Sequence, residues 1–202
     1  GASRGHGCRE GRRGLVTPDY SPARALLAAA RRHPERLSLV DAVTGLEWSV
    51  REAADTVARL ARAFAEAGIG EGTRIGVVGA NSPWHYIAFV AASWLRAVTV
   101  PLSPRMPDSV LASMCAQGGV SWVFHYESSS PTALALASAW VHRASFGDLA
   151  AWVARATPMS TAPARCGTEL AAILFTSGST GTPRPVELTH EVMWWGSTNF
   201  RE

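Results

Sequence analysis

The sequence predicts an α/β fold built on a doubly wound, largely parallel sheet flanked by helices. Three observations predict it. Helical periods alternate with short β-branched runs, helices over 51–67 and 107–117 run into glycine clusters, and Asn-Ser-Pro at 81–83 opens another helix. The helix over 51–67 is the clearest element: Val50, Ala54, Val57, Ala61 and Phe64 recur at spacings of three and four, and Ser49 with Glu52 reads as a capping box. Gly68, Gly70 and Gly72 end it, and 74–78 is a β-branched run suited to a buried strand. Asn81 or Ser82 caps and Pro83 starts a helix running to about residue 96, followed by a second buried strand over 98–102. A helix over 107–117 stops at Gly118 and Gly119, and 120–125 is the third strand. Such β–α–β alternation implies parallel pairing with helices on both faces. From 127 to 165 the pattern weakens to an Ala/Ser-rich helix, a short strand near 140–142 and a helix over 146–156. Residues 157–167, carrying Pro158 and Pro163, read as a linker that delivers the chain to a strand over 172–175.

Length and composition bound the function classes. The chain has 202 residues, 47% hydrophobic and 17% charged, enough for one sizeable core and one domain. The net charge of +3 is local: Arg4, Arg9, Arg12 and Arg13 face only Glu10, and the remaining arginines and acids balance. Residues 1–17 therefore read as a solvated, disordered Arg/Gly-rich leader, and with no nucleic-acid motif the chain is not expected to bind nucleic acid. The apolar run at 26–30 is too short for a secretion signal, and no stretch is long enough to span a membrane, so the cytosol is the default compartment. Cys8, Cys115 and Cys166 are odd in number and lack metal-ligand spacing, which predicts reduced thiols. His33, His85, His125 and His142 are scattered, so no metal site is expected and surface or core roles suffice.

The chemistry-bearing segment is 171–190, AAILFTSGSTGTPRPVELTH, where an apolar strand breaks into Gly, Ser and Thr. A polyanion needs several donors converging on it. Gly178 and Gly181 allow close backbone approach; Thr176, Ser177, Ser179, Thr180 and Thr182 add hydroxyls; Arg184 adds a cation. A plain turn has the same composition, and at this level both readings stand. A Walker loop is excluded, because only Ser179 and Thr180 separate the glycines and 186–189 has strand character, so the loop joins two strands. A position beyond the carboxyl end of a strand in an open α/β sheet favours the phosphate reading. No Ser-His-Asp arrangement exists, and no residue is assigned a covalent catalytic role. His190, closing the segment, is read as capping, packing or contacting substrate; Trp194 and Trp195 open a final helix, with core packing as the safer role and exposure as the alternative in a truncated chain.

That string resembles the TSGTTGxPKG signature of the adenylate-forming (AMP-binding) superfamily, which includes acyl-CoA synthetases, luciferases and peptide-synthetase adenylation domains. The resemblance continues upstream in the family's order, through HPERLSLVD from His33, LEWSVREAADTVARLARAFAEAGIGEGTRIGVVGANSP from Leu46 and AVTVPLSPRMPDSVLASM from Ala97, and covers residues 21–200. It implies that Thr176, Ser177, Gly178, Ser179, Thr180, Gly181, Thr182 and Arg184 hold the phosphates of ATP, with Mg2+ accompanying the nucleotide, a carboxylic acid as substrate and coenzyme A as acceptor. The match is closer to acyl-CoA synthetases than to amino-acid-activating domains, with fatty acid metabolism as the implied setting. Two departures stand out: the family's loop lysine is Arg184 here, a bidentate fork in place of a point charge, and Pro185 removes a backbone donor just after the loop. All nineteen basic side chains are arginine. Residues 18–202 thus read as the N-terminal part of an adenylation domain, truncated after the phosphate loop and expected to be inactive alone. The alternative reading is a non-catalytic nucleotide-binding or partner-binding module.

Overall fold

In the computed structural model, residues 18–79, 81–125, 142–176 and 183–198 are described. The expected leader at 1–17 and the expected Ala/Ser-rich helix between 127 and 141 lie outside them.

Helix α1 (Pro22–Arg32) starts where Ser21 Oγ accepts the Arg24 N–H and Pro22 fills a first-turn position. Strands β1 (Leu37–Val40) and β2 (Glu47–Ser49) form a separate antiparallel pair. Its connection is tightened by Asp41 Oδ1, which accepts the N–H groups of Val43 and Thr44. The predicted capping box then opens α2 (Val50–Glu66): Ser49 donates its N–H to Glu52 Oε2 at 2.8 Å and Glu52 returns its N–H to Ser49 Oγ at 3.2 Å. Strand β3 (Arg74–Val78), helix α3 (Pro83–Trp94, capped by Ser82), β4 (Val98–Leu102) and α4 (Asp108–Gly118) follow, with Gly119 at φ 61° supplying the left-handed residue that closes α4. Next come β5 (Trp122–His125), β6 (His142–Ser145), α5 (Phe146–Arg155), β7 (Leu170–Thr176), β8 (Arg184–Thr189) and α6 (His190–Thr198). A second capping box, Ser145 with Asp148, opens α5.

The main sheet has the order β6-β5-β3-β4-β7-β8, parallel throughout except for the antiparallel β7–β8 hairpin at one edge. The doubly wound expectation therefore holds. Alternation along the strands sends Ile75, Val77 and Phe124 into a core shared with α1, α2, α3 and α5, and Val78, Val100 and Val123 into a second core under α4 with Leu111 and Met114. Phe64 of α2 stacks on Phe124 at 5.1 Å and links helix to sheet.

The sheet changes character beside β4. Val98 donates its N–H to Thr73 O at 2.8 Å, on the β3 side. Donors alternate between neighbours along a parallel strand, so Thr99 and Pro101 face β7. Pro101 has no N–H to give, and the β4–β7 ladder registers only Thr99 with Ala172. Beyond that point β7 and β8 continue as a hairpin with Leu174 40% and Val186 41% exposed.

The three cysteines do not share one state: Cys115 is a free, buried thiol, whereas Cys166 is disulfide-bonded, which corrects the reduced-thiol reading at that position.

Candidate functional site

The hairpin carries the loop singled out by the sequence. Its far end is closed by the pair Thr176 and Arg184, Cα partners across β7 and β8, so the segment between them starts and finishes at one point in space. The expected strand–loop–strand context is thus observed. Ser177, Gly178, Ser179, Thr180, Gly181 and Thr182 lie outside the described residues. Thr176 and Arg184 are both exposed, and no ion pair or hydrogen bond engages the Arg184 guanidinium among the described residues. An exposed arginine opposite a threonine at the mouth of a loop can present a cation and a hydroxyl to a polyanion. Pro185 sits on β8, the sheet's outermost strand, where a missing donor costs no ladder bond on the open side.

The hairpin's root is built differently. Arg165, read in the sequence only as part of a linker, is 2% exposed. Its Nε donates to Ser93 O and its Nη2 to Trp94 O, both at 2.7 Å, and its Nη1 donates to Ala164 O at 3.1 Å. The first two acceptors belong to the last turn of α3, where carbonyls have lost their helical partners and the helix dipole favours a cation. The Arg165 backbone N–H donates to Asp19 Oδ1, its carbonyl accepts from Tyr20, and Glu169 lies 3.7 Å from the guanidinium. Glu169 and Gly167, just before β7, accept the N–H groups of His190 and Glu191, the first residues of α6. Gly167 is required by proximity: a Cβ there would stand 2.9 Å from Tyr20 Cε2.

His190 belongs to this root. Thr189 Oγ1 accepts the Val192 N–H, so the capping role falls to Thr189, while the His190 side chain is buried at 3% exposure. Burial, reinforced by the Arg165 charge, pushes its imidazole down to about 4, leaving it neutral near pH 7. Of the three readings the sequence left open for His190, the structure selects packing. Of the two readings for the tryptophans, Trp195 follows exposure, at 52%, and Trp194 packing, partly buried and edge-on to Tyr20 at 6.2 Å. Among the described residues, no three His, Cys, Asp or Glu side chains converge as metal ligands, and no helix is long and apolar enough to cross a membrane.

A sequence profile of AMP-binding enzymes matches residues 26–201. The chain belongs to the AMP-binding enzyme family. Among family members, a feruloyl-CoA synthase of Amycolatopsis is 31% identical over 170 residues, covering 84% of this chain and 33% of its own length. A hybrid PKS-NRPS synthetase of Trichoderma harzianum is 32% identical over 182 residues, covering 86% of this chain and 4% of its own. The Mycobacterium tuberculosis fatty acyl CoA synthetase shares the fold, with a TM-score of 0.76 at 23% identity over 88% of this chain and 37% of that one. The chain thus spans a third or less of the length of these curated relatives. The mostly parallel sheet with helices on both faces is the architecture of the N-terminal subdomains of adenylate-forming enzymes.

Proposed function

We propose that the loop between Thr176 and Arg184 holds the phosphates of ATP, and that the chain contributes this cradle to an ATP-dependent acyl-activating ligase. The observation that carries the reading is the unengaged, exposed Arg184 set opposite Thr176 at the mouth of an antiparallel hairpin. In the reaction, a carboxylic acid would attack the α-phosphorus of ATP, expel pyrophosphate, and pass as an acyl group to coenzyme A. This chain's share is electrostatic. Ser177, Gly178, Ser179, Thr180, Gly181 and Thr182 would supply backbone and hydroxyl donors, and Arg184 a two-pronged cation, to charge that grows on the departing phosphates. Donors fixed before the reaction serve this best, and a two-stranded hairpin is a stiffer mount than an open loop. Magnesium would arrive with the nucleotide, and the setting is cytosolic. The 202 residues span a third or less of the curated relatives they match, and assayed by themselves they are proposed to bind nucleotide without completing the reaction.

The test has two arms. Titrating the purified chain with ATP gives saturable binding that Arg184→Ala weakens, and carboxylate-dependent pyrophosphate exchange stays at background. No binding, or a hairpin variant indistinguishable from wild type, removes the cradle reading. Clear exchange with fatty or aromatic acids removes the statement that the chain is inactive alone.

A second reading, a nucleotide-binding module that works without catalysis and takes a partner against its sheet edge, is favoured by one observation. Leu174, Val186, Val192 and Trp195 are all at least 40% exposed around β8 and α6. Sedimentation separates the two: a stable monomer that binds ATP fits the ligase portion, and concentration-dependent self-association fits the module.

A further inference from the structure

We propose that Arg165 is a positioning residue for the phosphate-loop hairpin: it sets the hairpin from its root, and its polar partners among the described residues all lie outside 170–189. The proposal rests on the reading of 176–184 as a phosphate cradle. Its physical basis is the way the hairpin is mounted.

Pro101 has no N–H to give toward β7, and the ladder between β4 and β7 registers only the Thr99–Ala172 pair, so beyond it the hairpin is held to the sheet mainly by Ile173 and Phe175 packing into the core under α4. Its direction is set where it is still attached. On the β7 side that attachment is Ala172, the residues before it, and Ile173 and Phe175 in the core under α4; on the β8 side it is the first residues of α6, which donate to Glu169 and Gly167. The polar part of this attachment leads to Arg165. Its guanidinium is forked onto Ser93 and Trp94 at the end of α3 and lies 3.7 Å from Glu169, and its backbone is tied to Asp19 and Tyr20. Tyr20 in turn donates its hydroxyl to Glu191 Oε1 at 3.3 Å. Three separate pieces of chain thus meet at Arg165: α3 and the hairpin root on its guanidinium, and the segment before α1 on its backbone. The arrangement uses the shape of arginine: donors directed in one plane reach carbonyls of consecutive residues, which a lysine ammonium at the same place cannot do without reorienting. Glu169 also meets Arg96 at 3.7 Å, so the carboxylate at the root stays paired if Arg165 is lost, and the expected effect is a change of aim more than collapse.

The experiment compares wild type with Arg165→Met, Arg165→Lys and, as a matched control, Leu149→Ala, which opens a cavity in the helical core away from the hairpin. Two quantities are read: ATP affinity by titration, and amide hydrogen exchange of Leu174, Phe175, Thr176, Arg184 and Val186 against Ile75 and Val77. Arg165→Met is expected to speed exchange in the hairpin, with β3 unchanged, and to weaken ATP by about tenfold, the size carried by loss of one charge-assisted hydrogen bond. Arg165→Lys is expected to fall between it and wild type, and supplies the answer if the methionine variant does not fold. Leu149→Ala is expected to lower the melting temperature and leave ATP affinity and the hairpin-to-β3 exchange ratio alone. Wild-type hairpin exchange in both Arg165 variants overturns the proposal, as does an equal loss of ATP affinity in Leu149→Ala. If wild type binds no ATP, the cradle reading fails, and hairpin exchange alone still decides whether Arg165 sets the hairpin.

Discussion

Strands β3 and β4 and the hairpin β7–β8 belong to one sheet and are held in opposite ways. The first pair is registered from Arg74 with Val98 through Val78 with Leu102 and is sandwiched between two cores. The hairpin registers with β4 at one pair, sends Ile173 into the core under α4 while turning Leu174 and Val186 to solvent, and is tied by a polar node at its root. Stability is thereby concentrated in the centre, and freedom to present a loop at the edge. Substitutions in the two regions should therefore separate folding from binding.

The largest separation is expected from Phe64→Ala, which removes a side chain at 0% exposure stacked on Phe124. Urea unfolding should show a loss of about 3–5 kcal/mol, against a change within about 0.5 kcal/mol for Val186→Thr on the hairpin. Comparable losses at the two sites would break the contrast.

Next in size is a pH effect at the hairpin root. The His190 imidazole is lowered from 6.5 to about 4 in the folded chain. Between those values the unfolded chain takes up the proton more readily, so stability is full above pH 6.5, declines as pH falls toward 4, and levels off below. The span is about 3 kcal/mol at most. Denaturation at a series of pH values should show this slope in wild type and a flatter one in His190→Gln; equal slopes would mean the root does not hold a neutral imidazole.

Arg184→Ala sharpens the comparison from the other end. It should weaken ATP by about tenfold, near 1.4 kcal/mol, while the melting temperature stays within error, because an exposed guanidinium without a partner among the described residues contributes little to folding. The smallest effect is expected from Ser49→Ala, which deletes the capping box of α2. A thermal melt should record about 1 kcal/mol of destabilisation with unchanged ATP affinity.

The central region was largely legible in the sequence because its rules are local. Ser49 and Glu52 announce α2, Pro83 announces α3, and the β-branched runs at 74–78 and 98–102 coincide with β3 and β4. Strand β5 begins at Trp122, two residues later than the run at 120–125 indicates: Val120 returns its N–H to Cys115 O at the end of α4, and Ser121 makes the first bond to β3, at Arg74 O. The short β1–β2 pair has no such signal, since runs of four and three residues carry too little periodicity. At the site, the pairing of Thr176 with Arg184 is set by the register of the folded hairpin, whereas a strand on each side of the loop follows from composition and β-propensity. Arg165 does not. A lone arginine beside Pro163 in a stretch of small residues looks solvated, and only the return of α3 and residue 19 to the same place buries it. Long-range convergence of that kind has no period and no spacing to detect.

Pro101 offers one more lesson. An imide nitrogen near the end of a parallel strand interrupts the ladder on one side only: β3 keeps five registered partners along β4 while β7 registers one, at a position fixed by covalent chemistry. Side-chain packing under α4 then does on that side what backbone pairing does on the other.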